Sequence, residues 1–207
     1  MGQTDKKFSV ATFAGGCFWC MESPFDKISG VQKTISGYTG GDVQNPSYKQ
    51  VSSGVTGHAE AVQVYYDPEV VSYLKLLDVF WKNINPTTPD RQFNDVGEQY
   101  RSAIFYHNDR QKQLAECSKQ ALQDSGRFSQ PIVTEIVEAG PFYPAEDYHQ
   151  NYYKKSPLQY KFYRFASGRD NYLNKVWGSG RPGGIADSLG KCRVSENEGQ
   201  AASGRKP

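Results

Sequence analysis

The sequence predicts an α+β fold in which helices pack on one side of a sheet. Short segments with the alternation of strands are interspersed with longer segments of 3.6-residue periodicity, without the regular succession of a doubly wound parallel sheet. The 207 residues suffice for one substantial core and contain no internal repeat. We therefore expect one domain at residues 1–178, followed at residues 179–207 by a Gly-rich, mobile tail that carries Cys192.

The first predicted unit is a strand, a turn and a helix. Residues 8–13 have the pattern of a short strand, and Gly15-Gly16 supplies a tight turn into a helix that begins near Cys17. One face of this helix is apolar at three- and four-residue intervals: Phe18, Met21, Phe25 and Ile28. Pro24 lacks a helical N–H, so we expect a bend there or a helix restart capped by Ser23.

The remaining elements follow from periodicity and from breaks rich in Gly, Pro, Asn and Ser. Further strands are predicted at residues 31–38, 58–66, 102–107 and 132–138, the last of these in the centre of the sheet. Helices are predicted at residues 70–84, 109–126 and 145–155. The loops at residues 39–57 and 85–101 are too long to be mere connections, so we expect them to build the functional site.

Charge and hydropathy exclude several classes of partner. The 24 basic and 22 acidic residues leave a formal net charge of +2, and the basic residues are dispersed along the chain. Nucleic-acid binding therefore has little support. No apolar run approaches the roughly 20 residues of a membrane span, and residues 1–7 lack the apolar stretch of a secretory signal. We expect a cytoplasmic protein that does not bind membranes.

Four cysteines in such a chain favour thiol chemistry or metal binding over a structural disulfide framework. Cys17 lies at the first turn of the predicted helix, where free backbone N–H groups and the helix dipole stabilise a thiolate. The preceding Gly15-Gly16 leaves the backbone open to a bulky substrate. Cys20 follows one helical turn later, so it is either a thiol that forms a disulfide with Cys17 or a packing residue.

Two large aromatic residues directly follow Cys17. Phe18 and Trp19 cannot both face the core from a helix start, so one of them is expected to line a pocket. An apolar wall beside a thiolate suits a substrate that carries a methyl group, whereas half-buried packing is the alternative for Phe18.

Two other interpretations remain open from the residues alone. A thiol–disulfide oxidoreductase of the thioredoxin type also places Cys-x-x-Cys at a helix start, although it leaves the long polar loops unexplained. A zinc-stabilised binding module could take Cys17 and Cys20 as ligands, together with two of a second set: His58, His107, His149 and Cys192. That second set lacks the tight spacing of a ligand pair.

The segment Gly-Gly-Cys-Phe-Trp-x-x-Glu at residues 15–22 resembles the opening motif of the A-class peptide methionine sulfoxide reductases. Six further blocks resemble that family in the same order: Ser36-Gly37-Tyr38-Thr39-Gly40-Gly41, Asn45-Pro46-Ser47-Tyr48, Gly57-His58-Ala59-Glu60-Ala61-Val62, Gln92-Phe93-Asn94-Asp95-Val96-Gly97, Gln99-Tyr100-Arg101-Ser102 and Ala145-Glu146-Asp147-Tyr148-His149-Gln150. The resemblance covers about residues 8–177, and its ordered set is far more specific than any single block.

The resemblance implies a role for each matching site residue. Cys17 is the nucleophile, Glu60 the acid that protonates the sulfoxide oxygen, and Tyr48 and Tyr100 the hydroxyls that hold this oxygen. Asp95 is a further polar member of the site. Phe18 and Trp19 form the wall around the substrate methyl group, and His149 has a structural or supporting role. The expected sheet is ferredoxin-like, and the expected substrate is the S epimer at sulfur.

The implied reaction leaves a sulfenic acid on Cys17, which a second thiol converts to a disulfide. Cys20 is favoured as the first resolving thiol because its loop closure is short, and Cys192 is a second relay or an alternative. Cys117 is expected to take no part. No metal or bound cofactor is expected, since electrons can arrive by thiol exchange from a thioredoxin-like partner. We expect a monomer.

Overall fold

The computed structural model describes residues 8–178 together with Cys192. Eight strands are present in this part of the chain: β1 (Ser9–Gly15), β2 (Val31–Thr39), β3 (Ala59–Tyr66), β4 (Arg91–Gln92), β5 (Asp95–Val96), β6 (Ser102–Tyr106), β7 (Glu135–Glu138) and β8 (Phe142–Pro144). Seven α-helices accompany them: α1 (Phe18–Asp26), α2 (Tyr48–Ser52), α3 (Tyr73–Trp81), α4 (Asp109–Asp124), α5 (Tyr152–Lys155), α6 (Pro157–Ala166) and α7 (Arg169–Trp177). The residues Glu98–Tyr100 form a 3₁₀ turn.

Six strands form one sheet in the order β7-β6-β1-β3-β2-β8, and all neighbours are antiparallel except β6 and β7. Phe13 on β1 pairs with Val62 on β3 and with Ile104 on β6, and these side chains belong to the main core. The Phe13 ring stacks on Phe25 of α1 at 5.1 Å and on Phe80 of α3 at 5.2 Å. The predicted α+β class is therefore confirmed.

The opposite face of the sheet is lined by small side chains. Ala14 pairs with Ala61 and Ala103, and this row forms a second, smaller apolar cluster with Phe105. Neighbouring residues such as Phe13 and Ala14 belong to different clusters because successive side chains along a strand point to opposite faces of the sheet.

The prediction that residues 132–138 form a central strand is wrong. Only Glu135–Glu138 forms a strand, and β7 lies at the edge of the sheet, parallel to β6. Both glutamates of β7 are exposed, as charged residues on an edge strand commonly are. The N–H of Val133 instead donates to the carbonyl of Pro86, 2.8 Å away.

Helix α1 continues through Pro24, so the predicted restart capped by Ser23 is wrong, and the alternative of a bend stays a prediction. Proline at this position removes the N–H that the Cys20 carbonyl would otherwise accept. The guanidinium of Arg164 replaces it, since its Nη1 donates to that carbonyl at 3.2 Å. The helix is thus sustained by a side chain from α6.

The region after β8 departs furthest from the sequence prediction. The helix expected at residues 145–155 is limited to α5, and the helices α6 and α7 were not predicted. Helix α6 has no fully buried side chain, and its apolar residues Leu158, Phe162 and Phe165 have helical spacing but are exposed. The tail predicted at residues 179–207 lies outside the described residues except for Cys192. Within the described part, no helix has the length and apolar composition of a membrane span.

Candidate active site

Cys17 lies at the junction of β1 and α1, where it is the N-cap residue of the helix. The turn before it requires glycine, because Gly16 has φ of +78° and a Cβ there would lie 2.5 Å from Cβ of Gln92. A Cβ on Gly15 would meet Ile84 and Met21 within 3 Å. The space beside these glycines is therefore filled by the protein itself, not left open for a substrate as the sequence suggested.

Cys17 and Cys20 are both buried free thiols, and the N–H of Cys20 donates to the carbonyl of Cys17 at 3.0 Å. Burial raises the pKa of Cys17 well above its ordinary value, and the neighbouring Cys20 and Glu60 raise it further. A hydrogen bond from Cys17, with the nearby charges of Arg169 and Arg164 acting against desolvation, lowers the pKa of Cys20 to about 6. The resting site therefore places the proton on Cys17 and the negative charge on Cys20.

This distribution differs from the thiolate that the helix start predicts at Cys17. The N–H of Phe18, the first free donor of α1, is bound at 3.1 Å by Oε2 of Glu60 and is not available to the Cys17 sulfur. The carboxyl of Glu60 thus takes the position at the helix N-terminus that a thiolate would need.

Glu60 lies on β3 opposite Tyr38 of β2, and only 2% of its surface is exposed. Burial raises the pKa of Glu60 to about 8, with smaller contributions from the negative charges of Asp95 and Cys20. A carboxyl with this pKa is mostly protonated at neutral pH and can act as a general acid.

Tyr48, Tyr100 and Asp95 come from the two long loops, and the structure brings them together at Glu60. Burial and the charge of Glu60 raise the pKa of Tyr48 to about 12 and raise the pKa of Tyr100 as well, so both hydroxyls are hydrogen-bond donors at neutral pH. Burial also raises the pKa of Asp95. The loops therefore supply two neutral hydroxyl donors and a second carboxyl around Glu60.

A glutamate fixes the position of Tyr48. Oε1 of Glu146 accepts a hydrogen bond from the N–H of Tyr48 at 2.8 Å, and Oε2 accepts one from the Tyr38 hydroxyl at 2.8 Å. Gln150, four residues after Glu146, accepts a hydrogen bond from the N–H of Ser36 on β2 and donates one to the carbonyl of the same residue. The segment that contains these two side chains therefore ties the Tyr48 loop to the sheet.

The aromatic residues after Cys17 form a wall at the site. Phe18 is almost fully buried, with its ring centroid 5.0 Å from His149 and 6.5 Å from Tyr48. Trp19 is half-buried and stacks on Tyr152 at 3.9 Å. The indole N–H of Trp19 donates to Nδ1 of His149 at 3.1 Å, and burial lowers the pKa of His149, which keeps it a neutral acceptor. This contact gives His149 a supporting position behind the wall.

Tyr163 is a site residue that the sequence reasoning missed. Its hydroxyl donates to Oδ2 of Asp95 at 2.6 Å, and its hydrogen bond to Cys17 opposes the burial that raises the pKa of that thiol. Its ring lies edge-on to Trp19 at 5.8 Å. Residue 163 lies outside all the blocks that resemble the family, and the only signal in the sequence is the high tyrosine content of residues 152–172.

Cys192 is not part of this cluster, since it forms a disulfide with Cys117 of α4. Cys117 is therefore bonded to Cys192 and is not a free thiol, and its expected lack of a part in the reaction stays a prediction. The pairing also engages one candidate zinc ligand, while His107 contacts Thr12 and His58 contacts Gly41. Within residues 8–178 and Cys192, no three Cys, His, Asp or Glu side chains are arranged to hold a metal ion.

Comparisons with known proteins point to one family. The sequence model of the family described as peptide methionine sulfoxide reductase matches residues 9–181. A peptide methionine sulfoxide reductase MsrA of Bacillus licheniformis is 57% identical over 173 residues, which are 84% of this chain and 96% of the relative. The enzyme of that name from Bacillus subtilis is 56% identical over 174 residues, 84% of this chain and 98% of the relative.

Solved structures give the same result. Mxr1 from Saccharomyces cerevisiae in its reduced form has a TM-score of 0.67 at 34% identity, over 76% of this chain and 90% of that chain. Methionine sulfoxide reductase A of Corynebacterium diphtheriae has a TM-score of 0.67 at 36% identity, over 76% of this chain and 78% of that chain. The family match contains Cys17 and Cys20 and ends before Cys192.

Proposed function

The chain belongs to the peptide methionine sulfoxide reductase family, and we propose that it reduces methionine S-sulfoxide, free or in proteins, to methionine through a sulfenic acid on Cys17. The observation that carries the proposal is the buried carboxyl of Glu60, whose pKa of about 8 keeps a proton beside the Cys17 helix start. Such an activity repairs oxidised methionine.

The grouping of hydrogen-bond donors around Glu60 supports a role for each of them in binding and protonating the sulfoxide oxygen. The sulfoxide oxygen accepts hydrogen bonds from Glu60, Tyr48 and Tyr100, while the methyl group lies against Phe18 and Trp19. Proton delivery from Glu60 weakens the sulfur–oxygen bond as the Cys17 sulfur attacks the substrate sulfur. The net step transfers one oxygen atom: methionine leaves, and Cys17 becomes a sulfenic acid whose hydroxyl hydrogen comes from Glu60, while Cys20 holds the proton that Cys17 gave up.

Asp95 and Tyr163 complete the polar half of the site. The hydrogen bond between them at 2.6 Å fixes the Tyr163 hydroxyl near the Cys17 sulfur. As Cys17 loses its proton to the neighbouring Cys20, the single hydroxyl hydrogen of Tyr163 turns from Asp95 to the Cys17 thiolate.

Cys20 then resolves the sulfenic acid. Its sulfur attacks the Cys17 sulfur, a disulfide forms, and the sulfenic oxygen leaves as water. Three observations support Cys20 over Cys192: it lies one turn from Cys17, it is inside the family match, and Cys192 is already bonded to Cys117. Cys192 could receive the disulfide from Cys20 only at a later step, after thiol exchange has broken its bond to Cys117.

A thioredoxin-like dithiol is the proposed electron donor for the Cys17–Cys20 disulfide, acting in the cytoplasm without a bound cofactor. The catalytic unit is proposed as a monomer of one domain at residues 1–178. We also propose a ferredoxin-like core for that domain, supported by the strand order β6-β1-β3-β2 and by the helices α1 and α3 that follow β1 and β3.

Mass spectrometry after turnover without reductant tests the proposed function. Reduced protein is mixed with methionine S-sulfoxide, and the methionine formed and the disulfides present are quantified. Wild type and Cys192→Ser should each contain a Cys17–Cys20 disulfide, Cys20→Ser should retain sulfenic acid on Cys17, and Cys17→Ser should form no methionine. Active protein in which Cys17 stays a thiol would overturn the proposal.

A further inference from the structure

Arg169 of α7 lies buried directly beneath the turn that carries the reactive cysteines. Its side chain is 1% exposed, and its Nη2 donates to the carbonyl of Gly15 at 3.0 Å. A Cβ added to Gly16 would lie 3.0 Å from the same nitrogen. The second nitrogen, Nη1, donates to the carbonyl of Asn83, and the guanidinium lies 4.6 Å from the ring centre of Phe93.

Within the described part of the chain, no carboxylate contacts the guanidinium of Arg169. Its buried Nε also has no hydrogen-bond partner there. Arg164 of α6 differs, because it forms an ion pair with Asp170 at 2.9 Å. A buried guanidinium stays charged and is unfavourable unless an anion compensates it.

We propose that Arg169 is a positioning residue whose charge, held at the Gly15–Gly16 turn, stabilises the thiolate of Cys20 when this sulfur attacks the sulfenic acid on Cys17. The inference rests on the proposed function, in which Cys20 is the resolving thiol. In the step it favours, Cys20 has given up its proton, the new sulfur–sulfur bond forms, and the sulfur–oxygen bond of the sulfenic acid breaks. The oxygen leaves as hydroxide and takes up that proton to give water.

Other charges act on Cys20 and must be separated from that of Arg169. Besides Cys17, five ionisable groups act on it: Glu60 from β3, Asp95 from β5, Tyr160 and Arg164 from α6, and Arg169 from α7, while Tyr163 of α6 acts on Cys17. The two arginines favour the thiolate, and Arg169 is the larger influence of the two on the pKa of Cys20. The carboxyl of Asp95 opposes them, and both tyrosines are neutral because their pKa values are raised.

Two substitutions separate the charge from the hydrogen bonds. Arg169→Lys keeps the cation, whereas Arg169→Gln keeps donors for the carbonyls and removes the charge. Lys175→Gln is the matched control, since it removes one positive charge from an exposed position of the same helix. Circular dichroism and thermal unfolding confirm that each variant is folded, and Arg169→Lys remains informative if Arg169→Gln does not fold.

The first readout is the ionisation of Cys20 in a Cys17→Ser background, followed between pH 5 and 9 by thiolate absorbance near 240 nm. The second is a single turnover without reductant, in which methionine formation and disulfide formation are timed separately. Arg169→Gln should raise the apparent pKa of Cys20 from about 6 by about one unit, and so slow disulfide formation roughly twofold at pH 7 and roughly tenfold at pH 5, with methionine formation changed much less. Arg169→Lys should keep both the pKa of Cys20 and the rate of disulfide formation close to their wild-type values, and Lys175→Gln should match wild type.

The results distinguish the two levels of the proposal. An unchanged Cys20 titration in Arg169→Gln, or equal losses in Arg169→Gln and Arg169→Lys, would overturn the role of the charge. If Arg169→Gln does not fold, a titration in Arg169→Lys that reaches the unperturbed thiol value would overturn it too. A Cys17 disulfide that still forms in Cys20→Ser would instead overturn the resolving role of Cys20 itself.

Discussion

A single proton decides whether this site can release oxygen from sulfur, because a bare oxide ion is too basic to leave. In the proposed mechanism Glu60 supplies that proton, since it is buried at the start of α1 and carries a raised pKa of about 8. Tyr48 and Tyr100 donate hydrogen bonds but hold their protons far more tightly. The acid role therefore cannot pass easily to a neighbour.

Glu60→Gln should slow methionine formation by roughly 10²- to 10⁴-fold, because the amide keeps the contact to Phe18 but cannot deliver a proton. In wild type the rate of this step should hold near pH 7 and fall above about pH 8 as Glu60 ionises. Single-turnover methionine formation against pH measures both. Glu69→Gln, an exposed site after β3, is the control, and a wild-type rate in Glu60→Gln would rule out the assignment.

Tyr163→Phe tests the site residue supplied by α6. Loss of its hydroxyl removes the hydrogen bond to Asp95 and the donor to Cys17, so methionine formation should slow roughly three- to tenfold. The measurement is the single-turnover rate at pH 7. Tyr153→Phe, which loses a hydrogen bond to Asp26 on α1, should leave this rate unchanged. Equal effects of both substitutions would show that Tyr163 acts only through packing.

The chemistry of the site was easier to predict than its supports. Cys17, Glu60 and Tyr48 lie in ordered blocks of sequence, and the structure brings them together. Tyr163 lies outside every block, and its contact with Asp95 spans 68 positions, which no local pattern reveals. The pairing of Cys117 with Cys192 spans 75 positions and depends on how the chain folds, so cysteine spacing alone could not predict it.

At the level of elements, the turn between β1 and α1 sets where the site forms. Gly16→Ala should lower the free energy of unfolding by about 2–4 kcal/mol, because it combines a positive φ with a clash against Gln92. Chemical denaturation measures the loss. Gly126→Ala is the matched control: its φ is +64° but a Cβ there meets nothing within 4 Å, so only about 1 kcal/mol should be lost. Equal losses at both glycines would contradict the role of the Gln92 contact.

Strand alternation and helix periodicity predicted most elements up to β6 because those elements bury one face. The helices α6 and α7 were not predicted. Along α6 the large apolar side chains Leu158, Phe162 and Phe165 have helical spacing but are exposed, while Tyr163 and Arg164 face the site. The position of this helix is set by polar contacts with α1 and the loops, and these contacts leave no pattern in the sequence.

At the scale of the whole molecule, a buried carboxyl on α1 links this first helix to the segment that leads into α5. Glu22 of α1 is fully buried, and its Oε1 accepts a hydrogen bond from the N–H of Asn151 at 2.8 Å. Asn151 has a left-handed backbone with φ of 54°, so this contact also holds an unfavourable conformation in place. Oε2 has no partner among the described residues, and burial raises the pKa of Glu22 to about 7.

Glu22 should make the stability of the fold depend on pH. In the unfolded chain its pKa is about 4.3, so between that value and about 7 the folded state binds more protons than the unfolded state. The contribution of Glu22 to the free energy of unfolding is therefore fully present below pH 4 and is lost as pH rises through 7, by about 1.4 kcal/mol per unit of pKa difference.

Urea unfolding of Glu22→Gln and wild type measures this effect. Because Glu60 and Cys20 also titrate, the measured quantity is the difference in the free energy of unfolding between the two proteins. That difference should shift in favour of Glu22→Gln from pH 5 to 8, while exposed Glu69→Gln should show no such trend. A difference that is the same at every pH would mean that Glu22 ionises as freely in the folded protein as in the unfolded chain.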